Sequence, residues 1–591
     1  MKPSPKIAMP NVWGEGAPFA LSGLDAPTDY ARPVVGKLLE GRFGLEVLGL
    51  RDPAQIHLAA AFEFHLTSAD PREAARLKVP RKLAAGSVVT NDRILWKRGG
   101  SSVLELLAVD RASFFLSVKG VKRPLLLWKK GPAISSPSIS GKGFTVACAE
   151  GSLELGEGPS ELLIRAVYPS APTLAVSGPG GVKEKALVDA ARKRHLQFWS
   201  RYRAPKTPSA SLRMMDAKAA SILRVNVESA QGKTSMRWTT PDRTPHRQMW
   251  IWDSAFHALG WKYLDAAMAR EAIFAVLERT HGNGFIPISV DPLGDRLNGE
   301  SQPPILGWAL DRVLPVERLE PKARVWAYGK LSAFLGWMGR ERVGAGRGLL
   351  GWLKAEDSVT CRCGESGWDN STRFDHPGPD DHIDLVSFAA NEYAVLARLA
   401  ASLGKKSESE AWENKRRALA DRVNELMWCE EDGLYYDLDQ AGAFVRVQSA
   451  ACFYPLAAGI PTPARSARLR EALLDPKRFA TRVPVPSISP AEKAFAKDMW
   501  RGPMWVNSNY LIADGLRRYG FAADAKGLVG KTLAELARWY QTTGVLCEYY
   551  DVDGKEDPRF QLRKASRTEG LRVIRDYGWT ASLALAMARE F

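Results

Sequence analysis

The sequence lacks several features that mark special classes of protein. It has only 6 cysteines among 591 residues, too few for a disulfide framework, so we expect reduced, structural thiols. No apolar run approaches the 18 residues that a membrane-spanning helix needs. Residues 1–24 are interrupted by proline and glycine and have no apolar core of the kind found in secretory signals. The sequence therefore predicts a cytoplasmic protein without a membrane span.

Positive charge is in excess but is not concentrated. The chain has 82 Lys+Arg against 66 Asp+Glu, a net charge of +16, yet it contains no run of five or more basic residues and no recognisable nucleic-acid module. The excess predicts a solvated basic surface, which would favour encounter with an anionic small substrate. Nucleic-acid binding is the weaker alternative. Phosphate-binding loops, dinucleotide fingerprints, nucleophile elbows and paired metal-ligand motifs are missing as well.

The first 180 residues have the pattern of an all-β domain. Short runs rich in β-branched and aromatic residues are separated by Gly, Pro, Asp and Ser clusters, at intervals typical of a sandwich. The runs cover 88–96, 101–109, 112–118, 123–130, 144–150, 151–156 and 161–168. Aromatic residues on such strands usually belong to the core, so we assign Trp96 and Trp128 to packing. We predict a β-sandwich over 1–180 and a linker helix over 181–205.

The pattern changes at SGPGGVKEKA (177–186) to the 3.6-residue period of amphipathic helices. About twelve helices are expected after residue 205, with almost no strands. A helical solenoid would show a sequence repeat of about 30–45 residues, and none is found. The fold class is therefore predicted as multidomain, with the all-β sandwich followed by an all-α (α/α)6 toroid over 206–591.

Tryptophan is concentrated in the helical part, where 15 of the 19 tryptophans lie at or after residue 238. Many are in long polar loops beside carboxylates or amides, and structureless loops of that length are usually functional. An indole offers an apolar face to the C–H face of a sugar, while Asp, Arg, Asn and Gln can bind its hydroxyl groups. The pattern favours a carbohydrate site; packing in the core is the alternative.

Two loop acids are the strongest catalytic candidates. Sugar hydrolysis uses one carboxyl group that protonates the leaving oxygen and another that activates water or attacks directly. Asp369 lies in ESGWDNSTRF and Glu548 in LCEYYD. Gly367 permits a tight backbone there, and Trp368 could form an apolar wall that raises the pKa of an acid. Each acid alone fits a solvated turn or a helix cap, but their occurrence together favours catalysis.

These loop motifs, in their order along the chain, resemble the family 63 glycoside hydrolases and, more distantly, the family 37 trehalases. The matching pieces within 238–591 are WIWDSAF, SQPP, ESGWDNSTRF, WRGPMWVNSNYL, EYYD and DYGWTASLAL. The resemblance implies an inverting exo-α-glycosidase on an (α/α)6 barrel, often preceded by a β-sandwich. It implies an α-glucoside or α-mannoside as substrate, such as a small oligosaccharide, and no redox or organic cofactor.

The resemblance also assigns roles to individual residues. Asp369 occupies the position of the general acid, and Glu548 that of the general base. The sugar site is implied to contain Trp252, Asp253, Gln302, Arg501, Trp505 and Trp579. The loop pattern adds Glu365, Trp368, Asn507 and Tyr549 as candidate substrate-binding residues, although a structural role for Glu365 is equally compatible. Inversion requires room for a water molecule, so the two catalytic carboxyl groups should lie roughly 6.5–9.5 Å apart.

Several alternatives remain open. A mannosylglycerate or glucosylglycerate hydrolase would suit the basic surface, but such members of the family tend to lack a long β-domain. A trehalase-like enzyme fits the WRGPMW loop less well. A catalytically silent carbohydrate-binding protein would not need both Asp369 and Glu548. The segment 551–558, DVDGKEDP, has an Asp-x-Asp-Gly pattern without the full spacing of a calcium loop, so calcium is a weak alternative to a site without metal.

Overall fold

The chain has a β-rich part followed by a helical part, as predicted. The computed structural model describes residues 8–591 except 32, 40, 51–57, 131–138, 142–143, 147–149, 156–159, 168–172, 178–181, 296, 356–360, 377, 379 and 565–570. Pieces of three predicted strands, at 147–149, 156 and 168, and most of the predicted change of pattern at 178–181 lie outside the described residues.

Fourteen strands are described in the β-rich part. They are β1 (Pro18–Phe19), β2 (Val35–Leu38), β3 (Phe43–Leu50), β4 (Leu58–Ser68), β5 (Val88–Thr90), β6 (Arg93–Arg98), β7 (Ser101–Asp110), β8 (Ser113–Val118), β9 (Pro124–Lys130), β10 (Ile139–Gly141), β11 (Phe144–Val146), β12 (Glu150–Glu154), β13 (Ser160–Val167) and β14 (Thr173–Ser177). One sheet has the order β1-β2-β3-β4-β9-β12, and the other β11-β10-β14-β13-β8-β7-β6-β5. The described pairings are antiparallel except that between β10 and β14.

Side chains from the two sheets pack against each other in a sandwich core. Phe43 of the first sheet stacks on Trp96 of the second, with ring centroids 4.5 Å apart, and Phe19 lies 5.8 Å from Phe114. The burial of β6 alternates along its first four residues, as expected for a strand with one face in the core. Trp96 and Trp128 are both buried, in agreement with their predicted packing role.

Helices dominate the rest of the chain. The β-rich part contains α1 (Pro71–Arg76), and the following helices are α2 (Val182–Arg201), α3 (Ala210–Val225), α4 (Ile251–Trp261), α5 (Ala266–Glu278), α6 (Leu306–Val313), α7 (Pro321–Glu341), α8 (Ile383–Ser402), α9 (Lys406–Leu426), α10 (Tyr454–Ala458), α11 (Pro463–Leu474), α12 (Val506–Arg518), α13 (Ala522–Thr543) and α14 (Gly578–Glu590). In the described residues after 205, twelve α-helices thus occur.

The remaining strands and 3-10 turns are short. The strands are β15 (Val227–Glu228), β16 (Trp238–Thr239), β17 (Met249–Trp250), β18 (Ser289–Val290), β19 (Trp428–Cys429), β20 (Leu434–Tyr435), β21 (Asp437–Leu438) and β22 (Phe444–Val445), which form four two-stranded pairs. The 3-10 turns are Val316–Arg318, Thr372–Phe374, Ala450–Phe453, Met499–Arg501 and Pro558–Phe560.

Local sequence signals explain where several helices begin. The side chains of Ser209, Asp265 and Thr462 cap α3, α5 and α11 by accepting backbone N–H groups of the first turn. Proline occupies the first turn of α7 and α11, where its missing N–H would have no helical partner. These caps explain where the helices begin, whereas the prediction that helices occur here rested on their 3.6-residue period.

The chain forms two compact units. The first comprises Met1–Arg247, Leu536–Leu546 and Arg575–Ala581, and the second Gln248–Glu535, Cys547–Ile574 and Ser582–Phe591. Helices α2 and α3 therefore belong to the first unit, although they follow the predicted sandwich. The boundaries at 180 and 205 describe the change from strands to helices and stay predictions.

One buried carboxylate in the second unit has no part in the predicted site. Glu392 on α8 accepts backbone N–H groups of Gly307 and Trp308 at 3.0 and 2.7 Å, at the start of α6. Burial raises the pKa of Glu392 from 4.5 to about 7, and the two hydrogen bonds oppose this rise only in part. The carboxyl group of Glu392 thus joins α8 to α6, and its burial makes it harder to ionise.

This burial makes the stability of the fold depend on pH. Since the folded-state pKa lies above 4.5, the folded chain keeps a proton that the unfolded chain releases, so the contribution is complete below pH 4.5 and is lost as pH rises through about 7. We expect the unfolding free energy of the wild type, relative to Glu392→Gln, to fall by about 3 kcal/mol across this range. Denaturant unfolding at several pH values measures this difference in unfolding free energy. Glu410→Gln, at an exposed position of α9, is the control. If the unfolding free energies of the wild type and of Glu392→Gln changed with pH in parallel, the prediction would be contradicted.

Candidate active site

The two predicted catalytic acids are held by adjacent residues of one segment. Arg563 donates from Nε to Oε2 of Glu548 at 3.0 Å, and its Nη2 lies 3.5 Å from Oε1. The ammonium of Lys564 forms an ion pair with Oδ2 of Asp369. Arg563 and Lys564 are neighbours with Cα atoms about 3.8 Å apart, so one short segment contacts two acids that are distant in sequence. Glu548 is 2% exposed at its side chain and Asp369 19%.

Backbone pairing fixes the segment that carries these two cations. The N–H of Arg563 donates to the carbonyl of Leu571 at 3.2 Å, and the N–H of Val573 donates to that of Gln561, also at 3.2 Å. The next residue, Ile574, accepts the N–H of Glu548 at 3.0 Å. The two cations and the predicted base therefore lie on backbones that are joined directly to one another.

The loop of Asp369 is a tight turn whose geometry depends on glycine. Gly367 has φ +76°, and a Cβ atom there would lie 2.1 Å from Cζ2 of Trp252. Any side chain at this position would be strained and would collide with that indole. The expectation that Gly367 permits a tight backbone beside the acid agrees with this geometry.

The loop tryptophans pack on one another. Trp500 lies between Trp505, at a centroid distance of 3.7 Å and an interplanar angle of 3°, and Trp368, at 4.5 Å and 22°. Trp252 is 6.1 Å from Trp500, and Tyr549 is 4.7 Å from Trp505. All five rings are buried. Their aromatic faces thus serve largely to support the site, and the predicted sugar stacking by Trp252, Trp368 and Trp505 stays a prediction.

Tyr549 is anchored at both of its ends. Its ring contacts Trp505, and its hydroxyl group donates to the carbonyl of Leu562 at 2.5 Å. Burial raises the pKa of this hydroxyl group well above its usual value, so it remains a neutral donor. Leu562 immediately precedes Arg563, so the tyrosine supports the segment that contacts both acids.

Glu365 is engaged entirely inside the protein. Its Oε1 accepts the N–H of Ser301 and Nη2 of Arg342, both at 2.7 Å, and its Oε2 accepts Nε of Arg342 and the N–H of Leu353, both at 2.8 Å. These four bonds use the acceptor capacity of a carboxylate. The geometry favours the structural of the two roles that the sequence allowed for Glu365. Gln302 follows Ser301, and its Oε1 accepts the N–H of Trp252 at 3.3 Å.

Asn370 connects the loop of Asp369 to the WRGPMW loop. Its Oδ1 accepts the N–H of Trp500 at 3.0 Å, and its Nδ2 donates to Oδ2 of Asp498 at 3.2 Å. The predicted site residues did not include Asp498, Trp500, Arg563 or Lys564. Trp500 and Asp498 lie in or beside a recognised motif, whereas no local signal points to the two cations.

The other predicted binding residues have different surroundings. Arg501 donates to both oxygens of Asp375, at 2.7 and 2.6 Å, and both side chains are partly exposed. Asn507 and Asp253 are buried in the first turns of α12 and α4. The amide of Asn507 has no hydrogen-bond partner among the described residues. Trp579 belongs to the first unit and lies edge-on to Tyr577 at 4.8 Å.

The acidic loop at 551–558 contacts a lysine. Nζ of Lys497 lies 3.0 Å from Asp551, 3.1 Å from Asp553 and 3.1 Å from Glu556. The carboxylates that a calcium ion would need are therefore ion-paired with an ammonium group. Five of the six cysteines fall within the described residues, and all five are free thiols; Cys148 lies outside them.

In the part of the chain that the structure describes, no helix combines the length and the apolar character that crossing a bilayer requires.

Most glycoside hydrolases use a pair of Asp or Glu side chains, one to protonate the leaving oxygen and one to activate water or to attack, and Asp369 and Glu548 offer such a pair beside buried aromatic rings. The family model of the mannosylglycerate hydrolase MGH1-like glycoside hydrolase domain matches residues 245–580. The chain belongs to this family, and it is a glycoside hydrolase. The resemblance to family 63 that the motifs indicated is confirmed.

Individual relatives agree with the family. A mannosylglycerate hydrolase of Thermus thermophilus is 26% identical over 405 residues, which are 55% of this chain and 94% of that protein. A crystal structure of the family 63 mannosylglycerate hydrolase from Thermus thermophilus with glucose has a TM-score of 0.51 at 26% identity and covers 64% of this chain and 100% of its own. A bacterial glucoamylase structure with acarbose, 11% identical, has a TM-score of 0.55 over 99% of this chain and 96% of its own, which shows likeness of fold alone.

Proposed function

We propose that the protein is an inverting exo-α-glycosidase that hydrolyses an α-mannoside or α-glucoside, with Asp369 as general acid and Glu548 as general base. The observation that carries this proposal is the contact of the adjacent Arg563 and Lys564 with the two acids. Arginine is always charged in proteins, so Arg563 presents a permanent cation to both oxygens of Glu548.

The reaction follows from these roles. A proton passes from Asp369 to the glycosidic oxygen as the bond from that oxygen to the anomeric carbon breaks. A water molecule attacks the opposite face of the ring, and its proton passes to Glu548. The product therefore has the inverted anomeric configuration, and the carboxyl groups are expected roughly 6.5–9.5 Å apart. No redox or organic cofactor takes part in this scheme, and we propose that none is needed.

Mannosylglycerate is the first substrate to test, because that is what the named relatives hydrolyse. Its carboxylate would suit the net charge of +16. The family match begins at residue 245 and does not cover the sandwich, so the group attached to the sugar is tested over a wider range of compounds. Glucosylglycerate, trehalose and α-linked gluco- and manno-disaccharides are therefore included in the test.

We also propose that the helices after residue 205 form an (α/α)6 toroid, preceded by the sandwich over 1–180 and the linker helix over 181–205. A contact within the second unit supports closure of such a ring. The N–H of Gly260 on α4 donates to Oγ of Ser582 on α14 at 2.8 Å, and a Cβ atom at Gly260 would lie 2.4 Å from that oxygen. Helices near the start and the end of the helical part are thus in direct contact, as in a closed ring.

The test is hydrolysis of the substrate panel with the anomeric configuration of the first product followed by proton NMR. We expect one α-glycoside to be cleaved with the β-anomer appearing first. First appearance of the α-anomer would mean retention and would remove Glu548 from the role of base. A failure to cleave any of the compounds, with sugar binding still detectable, would favour the carbohydrate-binding alternative.

A further inference from the structure

The most informative feature beyond the assigned acids is the dipeptide Arg563–Lys564, which we call the cationic bracket. Each of its side chains contacts a different carboxylate, Glu548 and Asp369 respectively. Both cations are themselves largely buried, with side chains 11% and 12% exposed. Buried charges are retained where they are paired, so the bracket is an integral part of the site.

The backbone of the bracket is held on several sides. Arg563 pairs with Leu571, and Leu562 bridges to Asp498 and to Arg572. The hydroxyl group of Tyr549 also donates to the carbonyl of Leu562. A rigid backbone allows adjacent side chains to keep two acids at a constant separation.

The conformation of Lys564 adds a second observation. Its φ of +55° lies in the left-handed region, which is uncommon for residues other than glycine, asparagine and aspartate. Residues in such regions persist where surrounding contacts hold them, and they concentrate at functional sites. A glycine would adopt this backbone conformation without strain, whereas the residue found here is a lysine whose ammonium contacts Asp369.

We propose that Arg563 and Lys564 are positioning residues that set the separation and orientation of the two catalytic carboxyl groups, an inference that rests on the proposed function. Lys564 contacts Oδ2 of Asp369, so we assign the transferred proton to Oδ1, which the bracket orients toward the leaving oxygen. Lys564 can donate to Oδ2 before and after this transfer, since only Oδ1 changes its protonation. Arg563 contacts both oxygens of Glu548 and fixes the plane of the base.

The charged and titratable groups around Lys564 agree with this arrangement. Asp369 and Cys361 face it from the loop of the acid, and Arg563 adjoins it along the chain. Burial lowers the pKa of the Lys564 ammonium, but the carboxylate of Asp369 raises it, and the net change is upward. Lys564 therefore stays charged over the range in which a glycosidase works.

The test compares substrates that need the acid with one that does not. Lys564→Met is expected to lower kcat on the natural glycoside about 100-fold, the scale of a misplaced catalytic group, with little change in KM. Hydrolysis of the corresponding α-glycosyl fluoride should be nearly unchanged, because fluoride leaves without a proton from Asp369. Arg563→Met should lower kcat on both substrates, since water must be activated in each case. Lys564→Arg should recover much of the lost rate.

Controls separate this inference from the proposed function. Lys555→Met removes an exposed lysine from a nearby loop and should behave as the wild type. If Lys564→Met lost kcat equally on the glycoside and the fluoride, or lost none on either, the proposal that Lys564 positions the catalytic acid would be overturned. If Lys564→Met does not fold, Lys564→Gln replaces it. The loss of kcat on the glycoside is then again compared with the loss of kcat on the fluoride. Asp369→Asn that still cleaves the glycoside would instead reject the proposed acid, whatever the bracket variants do.

Discussion

Glu548→Gln is expected to lower kcat by about 10²–10⁴-fold on the glycoside and on the glycosyl fluoride alike, whereas Asp369→Asn should show a loss of that size on the glycoside only. The difference arises because an inverting reaction needs an activated water molecule for every substrate, but a proton only where the leaving group requires one. Both substitutions keep the shape of the side chain, so the buried Glu548 site is not opened.

Two exposed acids of α9 provide matched controls. Asp421→Asn and Glu425→Gln change the same functional groups on the protein surface and should leave kcat unchanged. Rates are measured by sugar release at saturating substrate, and folding is checked by circular dichroism. A Glu548→Gln enzyme that retains the wild-type rate on the fluoride would show that another group activates water. Equal losses on both substrates in Asp369→Asn would remove it from the role of acid.

Local patterns were sufficient for most of the secondary structure. The predicted run at 101–109 corresponds to β7, whereas the run at 88–96, which was predicted as one stretch, is a hairpin of β5 and β6 with a turn at Asn91 and Asp92. Alternating apolar residues and turn residues identify strands within short stretches of sequence. Helices were recognisable from their 3.6-residue period, which is also a local signal. The composition of the compact units was not recognisable from local sequence patterns. Segments 536–546 and 575–581 join the first unit through contacts between distant parts of the chain.

In the candidate site too, some residues were recognisable from local sequence and others were not. Asp369 and Glu548 stood out because both are acids beside aromatic residues, Trp368 and Tyr549, and because they occur together with the other loop motifs. Lys564 did not, because its position beside Asp369 depends on how the loops are arranged in space. The tryptophans illustrate a different limit, since an indole in a polar loop has the same sequence pattern whether it stacks on sugar or on Trp500. Only the three-dimensional arrangement distinguishes these two uses.

The largest expected effect on stability concerns Arg373, a buried residue in the segment that also carries the predicted acid Asp369. It donates to both oxygens of Asp384 at 2.9 Å and to both oxygens of Asp437 at 2.8 and 2.9 Å. Its guanidinium also lies 5.2 Å from the centroid of the Trp368 ring. Although burial alone would lower the pKa of Arg373, the two carboxylates raise it further above its ordinary value.

Arg373→Met is therefore expected to destabilise the protein by about 3–5 kcal/mol, because it leaves two buried carboxylates without their cation. The midpoint of denaturant unfolding measures the change, and Arg398→Met is the control. Arg398 pairs with Asp311 and Glu317 but is 45% exposed, so its loss should cost at most about 1 kcal/mol. Equal unfolding midpoints for the two variants would contradict the claim that the buried ion pairs of Arg373 stabilise the protein more than the exposed pairs of Arg398.

A triple variant isolates the physical cause. Arg373→Met combined with Asp384→Asn and Asp437→Asn removes the uncompensated charge together with the cation, and should recover part of the lost stability. Burial raises the pKa of Asp384, but Arg373 lowers it by more, to below 3.8. The stabilisation by this pair is thus present above that pH and is lost as the pH falls through the folded-state pKa. The gap between wild type and Arg373→Met should accordingly narrow in acid, and a gap that stays constant there would show that lost packing, rather than lost charge pairing, destabilises the variant.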